Sequence, residues 1–194
     1  GAAYESKQWG IDNFVELAKW LVKDGYQIII TGAESEKEMA LGICNKVENN
    51  CKPLTGLLSF RETLAIVSLS EICVTGDTAI MHAAAAMKKT VYAIFGPTNP
   101  VETGPYSSGN IVFAGKCTQR PCFCHTCKNK LCMKSITPDI VYSFIKGMPK
   151  KESSCDIYRT SFDIQGKYKL IPIIENGSTY INENGSMLIR LLFD

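Results

Sequence analysis

Over residues 12–24, apolar side chains recur at helical spacing. Phe14, Leu17, Ala18 and Leu21 share one face, Asp12 stands where an N-cap belongs, and Gly25 ends the run. Residues 26–31 break that rhythm with a short β-branched run that does not alternate, which predicts a strand buried on both faces. Gly32 follows, then a polar helix over about 35–49 and a short strand over 52–55. Ser59 and Glu62 have the spacing of a capping box ahead of a helix through residue 68. A second buried strand is predicted over 71–75, broken by Gly76-Asp77-Thr78, with a small-residue helix from Ala79 to about Met87. A third strand over 90–95 stops at Gly96-Pro97, and Thr137-Pro138 opens a helix to about Lys146.

Strands alternating with helices at these lengths predict an α/β fold, a Rossmann-like parallel sheet with helices on both faces. Ligands of such sheets bind beyond the carboxyl ends of the strands. Segments 31–34, 75–78 and 95–100 lie there. From residue 168 the pattern changes to apolar runs punctuated by Asn176-Gly177 and Asn184-Gly185, which predicts a small antiparallel meander over 168–193. The expected organisation is a Rossmann-like domain over 1–150 and a small β-rich appendage over 151–194.

The composition allows this and excludes other classes. With 45% hydrophobic and 21% charged residues, the 194-residue chain is neither disordered nor fibrous. Lys plus Arg is 21 and Asp plus Glu is 19, so there is no basic footprint for nucleic acid. No apolar run approaches the roughly 18–20 residues of a membrane span. The start, Gly1-Ala2-Ala3, reads as an added scar with part of a longer protein upstream.

The chemistry concentrates at Thr75-Gly76-Asp77-Thr78-Ala79, with His82 one turn into the helix. A strand ends, the backbone turns at glycine, and a helix begins. Its first amides lack intrahelical partners and its dipole is positive there, so an anion is favoured. Thr78 adds a hydroxyl, and His82 follows four residues later on the same face. The plainer reading makes Asp77 an N-cap and His82 a satisfied core histidine. The next loop, Phe95-Gly96-Pro97-Thr98-Asn99-Pro100, reads as a rigid wall beside that helix, or as an ordinary turn.

The order Gly-Asp-Thr-Ala-x-x-His, a strand, then Phe-Gly-Pro-Thr-x-Pro resembles glycosyltransferase family 9, which includes the bacterial ADP-heptose heptosyltransferases. Lys7-Gln8-Trp9 is similar to that family's Lys-x-Trp-Pro segment, with Gly10 in place of the proline. The resemblance covers about residues 5–147. It implies the C-terminal, donor-binding half of a GT-B fold. Lys7 would approach the donor phosphates. Asp77, Thr78 and Ala79 would hold the sugar and diphosphate, His82 would lie near the diphosphate, and Leu58 would lie against the base. Gly96 and Thr98 would belong to the wall. The acceptor domain, with the catalytic Asp, would lie upstream, so no catalytic residue is assigned in this chain and the chain alone would bind nucleotide without turnover. The implied partners are a nucleotide-sugar donor and a lipid-linked saccharide acceptor. The implied location is cytoplasmic, with at most peripheral contact with the inner membrane. Lysine clusters at 128–134 and 146–151 read as solvated surface, with attraction to anionic headgroups as the weaker alternative. No cofactor is required for transfer.

Five of the nine cysteines fall in 117–132. Cys117, Cys122, Cys127 and Cys132 have spacing that suits zinc, with Cys124 or His125 as alternates. Disulfides and free thiols are the competing readings. Family relatives resemble this segment in carrying Cys-x-Pro-Cys and a later Cys-Met, and Cys124 and His125 stand outside that pattern. Two other functions stay open: a non-catalytic nucleotide-sugar-binding module, and a metal-stabilised interaction domain built on the cysteine segment.

Overall fold

The computed structural model describes residues 4–122, 124–150, 152–175 and 178–179. The chain runs α1 (Ile11–Lys23), β1 (Ile28–Ile30), α2 (Lys37–Val47), β2 (Cys51–Pro53), α3 (Phe60–Leu69) and β3 (Ile72–Gly76). It continues with α4 (Ala79–Ala86), β4 (Thr90–Phe95), α5 (Pro100–Thr103), β5 (Ile111–Ala114), α6 (Leu131–Lys134) and α7 (Pro138–Ile145). It closes with β6 (Asp156–Phe162), β7 (Tyr168–Glu175) and β8 (Ser178–Thr179).

The expected Rossmann-like fold is present. β3, β4 and β5 pair in parallel, and β1 pairs in parallel with β2. In β4 every residue is apolar except Thr90, because both faces of the strand are covered. Alternation survives only as alternation of destination. Tyr92 and Ile94 join Ile111 and Phe113 under α1 and α7, with Leu17, Leu21, Val141 and Phe144. Val91, Ala93 and Phe95 join Val112 under α3 and α4, with Val67, Met81, Ala84 and Ala85. The alanines of α4 are thus the price of bringing that helix close to the sheet.

Helix ends follow local chemistry. The Ser59–Glu62 capping box forms as expected, with the Ser59 amide donating to Glu62 Oε2 at 2.7 Å. The start of α1 differs from expectation. Gly10, at φ +100°, is its N-cap, and Asp12 sits inside the first turn. The indole of Trp9 fixes this entry, donating to the Ile136 carbonyl at 2.6 Å. At the other end, Gly25 lies at φ +92° and its amide donates to the Val22 carbonyl, closing the helix as its position suggested.

Two strands escaped the sequence reading. β5 is only four residues long, yet all four are buried. β6 pairs antiparallel with β5, and β7 pairs antiparallel with β6. The C-terminal strand region therefore begins at Asp156 rather than 168, and the main sheet runs on through it. Of the expected meander, residues 176–177 and 180–193 lie outside the described residues. Among the described residues β1 and β3 share no ladder, so the strands form a two-stranded sheet, β1-β2, and a six-stranded one, β3 to β8. The difference shows in exposure: Ile29 of β1 is 43% exposed, whereas Phe113 of β5 is fully buried.

Phe113 touches the core from the sheet centre and meets Phe144 edge-on at 5.5 Å. Phe113→Ala should cost about 3–5 kcal/mol of stability in urea denaturation. A loss below about 1 kcal/mol would contradict this assignment of the core.

Candidate functional site

Parallel pairing places the carboxyl ends of β3 and β4 side by side, with Gly76 opposite Ile94. The chain then turns into α4, whose N-cap is Thr78 in extended geometry. The Thr78 hydroxyl meets the Thr75 hydroxyl at 3.1 Å, leaving the first helical amides without a side-chain cap. Lys7 comes to this point from the far end of the sequence. Its ammonium donates to Asp77 Oδ2 at 2.7 Å, and the two side chains are 18% and 10% exposed. The Lys7 carbonyl also lies 3.8 Å from where a Cβ on Gly76 would stand, so the segment packs directly on the end of β3. A cation, a carboxylate and the positive end of a helix thus share one small surface.

The other expected residues divide. His82 is exposed on α4, so it is not a core histidine. Ala79 is exposed at the first turn of that helix. Leu58 is half-buried just before α3, beside Leu57 and Phe60, which are about 60% exposed. Gly96 and Thr98 are buried instead of lining an open wall. A Cβ on Gly96 would stand 2.6 Å from the Met133 methyl, so the glycine is needed for packing beneath α6. The Thr98 carbonyl accepts from Arg120 Nη2 at 3.0 Å, while its own hydroxyl is buried without a partner. A small recess lined by Gln27, Ile28, Asn50 and Lys52 opens at the amino ends of β1 and β2, the wrong end of the sheet for ligands of this fold.

The cysteine segment lies over the β4–α5 loop. The Cys122 amide donates to the Pro97 carbonyl at 3.0 Å, and the Arg120 guanidinium also donates to the Gly115 carbonyl. Burial lowers the affinity of that guanidinium for its proton. No disulfide joins any of the nine cysteines. Cys122 and Cys124 are exposed, Cys117 and Cys127 half-buried, and Cys132 buried. Cys124 Sγ contacts the Thr126 carbonyl at 2.8 Å, and the Lys130 amide points at Cys127 Sγ at 3.4 Å. Among the described residues, no three His, Cys, Asp or Glu side chains gather as a metal site would require. What the sequence reading missed is the contact between this segment and the chain's start: the Ser6 amide donates to the His125 carbonyl, and the Ser6 hydroxyl to the Cys124 carbonyl. Nothing in the spacing of either segment announces that meeting.

The sequence matches the family "Glycosyltransferase family 9 (heptosyltransferase)" over residues 1–133, and the chain belongs to that family. Lipopolysaccharide heptosyltransferase 2 of Salmonella typhimurium is 29% identical over 106 residues, 53% of this chain and 30% of that protein. Lipopolysaccharide heptosyltransferase 3 of Escherichia coli is 29% identical over 157 residues, 77% of this chain and 45% of that protein. In structure, E. coli ADP-heptose lps heptosyltransferase II superposes with a TM-score of 0.65 at 24% identity, over 76% of this chain and 44% of that one. An E. coli heptosyltransferase solved with ADP gives a TM-score of 0.62 at 22% identity, over 75% and 41%. These structures establish a shared fold. The chain spans less than half the length of each of these proteins.

Thiol reactivity tests the placement of the cysteines. Burial pushes Cys73 and Cys155 up to about 11. Burial, with the Cys44 thiol beside it, pushes Cys51 up to about 12. At pH 8 these stay protonated, with Cys155 buried and Cys51 and Cys73 half-buried, whereas Cys122 and Cys124 face solvent. Peptide mapping after brief alkylation of the folded protein at pH 8 should find Cys122 and Cys124 labelled first and Cys73 and Cys155 untouched. Equal labelling of all four would contradict the placement.

Proposed function

We propose that this chain is the donor-binding half of an inverting, heptosyltransferase-like glycosyltransferase that acts in lipopolysaccharide or cell-surface glycan assembly. The observation that carries the reading is the meeting of Lys7 with Asp77 at the start of α4. Family membership supports the reaction class. ADP, and ADP-2-deoxy-2-fluoro heptose, accompany E. coli heptosyltransferases of the same fold, which supports a nucleotide-sugar donor with adenine as its base.

In this reading the chain's own groups bind and stabilise a departing diphosphate. The amides of Ala79 and Ile80, which no side chain caps, offer hydrogen bonds to its oxygens, and Lys7 offers a cation. Asp77 holds that ammonium at the helix mouth before the donor arrives. With Asp77 engaged this way, Lys7 and the helix end carry the charge of the leaving group, and transfer needs no cofactor. Thr78, Ala79 and His82 flank the diphosphate, and Leu58 lies toward the base. Gly96 and Thr98 support the site from beneath, through the buried loop. The base that deprotonates the acceptor hydroxyl belongs to an acceptor domain outside this chain, where a lipid-linked saccharide would bind. No helix among the described residues is long and apolar enough to cross a membrane. We place the protein on the cytoplasmic side, with at most peripheral contact with the inner membrane. A metal in the cysteine segment would be structural, and zinc analysis of freshly reduced protein tests for it.

Calorimetric titration with ADP, UDP and GDP tests the main reading. ADP should bind best, and Lys7→Met should weaken it about tenfold or more, since a charged hydrogen bond is lost. His82→Ala should weaken it less. Preference for UDP or GDP would keep the site and overturn the adenine assignment. Absence of nucleotide binding, in this chain and when it is joined to its acceptor half, would overturn the reading.

A further inference from the structure

We propose that the Cys124-His125 turn is a clasp that sets the position of the Lys7 ammonium for an anionic diphosphate, with His125 and Ser6 as positioning residues. The proposal rests on the donor-site reading above. It assigns a role to the two residues that stand outside the family-like cysteine pattern.

Lys7 ends a single 3-10 turn, Glu5–Lys7, which has little to hold it by itself. Four contacts tie this stretch to the cysteine segment. The Ser6 amide donates to the His125 carbonyl at 3.3 Å, and the Ser6 hydroxyl donates to the Cys124 carbonyl. Ser6 is only 2% exposed, so both bonds are sheltered. The Tyr4 and His125 rings stack with centroids 3.7 Å apart and planes within 9°. Lys130 Nζ meets Glu5 Oε1 at 2.8 Å.

The clasp reaches Lys7 through Tyr4. The Lys7 ammonium stands 5.9 Å from the centroid of the Tyr4 ring, within range of the ring's attraction for a cation. His125 fixes that ring by stacking, so the ammonium is guided by Tyr4 and held by Asp77. The clasp itself is anchored. Cys122 is bonded to Pro97 and Arg120 to Thr98. At the far foot of the segment, Gly115 lets the Cys132 carbonyl approach so closely that a Cβ there would stand 1.8 Å away. The described parts of the cysteine segment are thus tied to the sheet's end on one side and to the residue that would meet the phosphates on the other. A ligand then meets an ordered lysine and does not have to order it on binding.

The test uses the full chain with Lys7→Met, His125→Ala, His125→Phe and the double variant Lys7→Met/His125→Ala. ADP affinity is read by calorimetry, and the Lys7 ammonium by NMR of lysine-labelled protein without nucleotide. His125 is exposed, so the two single His125 variants should fold, and circular dichroism checks the two that carry Lys7→Met. His125→Ala should weaken ADP about threefold to tenfold, and His125→Phe, which can still stack, should restore it to within about twofold. His125→Ala should add nothing once Lys7 is Met, and it should move the Lys7 ammonium resonance. Wild-type affinity in His125→Ala, or an undiminished loss in the Lys7→Met background, would overturn the clasp. If wild-type protein binds no ADP, the donor reading has failed separately and the resonance alone decides. A shift in His125→Ala that reverts in His125→Phe sustains the clasp, and an unmoved resonance overturns it.

Discussion

A lysine and an aspartate 70 positions apart share a 2.7 Å ion pair, and the surface around them depends on it. The pair forms because a parallel sheet delivers its strand ends to one edge. β3 ends at Gly76, α4 begins at Ala79, and the segment before α1 crosses the same edge. Leaving Asp77 there alone would set a carboxylate against a helix end that attracts anions, and would close that end to a phosphate. Lys7 neutralises it and keeps the region open to negative charge. The neighbouring strands, β4 and β5, are buried almost throughout.

Much of this was legible in the order of residues. The alternation of helices and strands, the capping box at Ser59, the exact span of β4 and the break at Gly76-Asp77-Thr78 all follow from local chemistry that short stretches carry by themselves. What stayed hidden had weak local signals. β5 is four residues between Asn110 and Gly115, too short for periodicity to speak. β6 mixes charge and hydroxyls because its neighbours decide which residues are covered. Asp12 looks like a cap, but Gly10 takes that place because the Trp9 indole, bonded to Ile136, fixes where the chain enters the helix.

The site was legible in part, for the same reason. Lys7 and Asp77 could be paired only through resemblance to a family, since nothing in either neighbourhood names the other. Gly96 and Thr98 were found as a loop, but their burial under α6 and Arg120 is a tertiary fact. The cysteine segment was the least legible in its tertiary contacts. Its spacing suggests metal ligation, and nothing in that spacing shows the backbone bonds, ring stacking and ion pair by which it joins the β4–α5 loop to the start of the chain. Ligand-like spacing states which residues are near in sequence and leaves open which way each thiol points.

The most direct measurement is an amide NMR titration of the isotope-labelled chain with ADP. Shifts should concentrate at Gly76 through Ala79, His82 and Lys7, with smaller ones through Gly96 to Thr98, and amides at the opposite end of the sheet, around the start of β5 and Phe162 at the close of β6, should stay quiet. Shifts centred on that opposite end, or on the recess between Gln27 and Asn50, would contradict the donor-site reading.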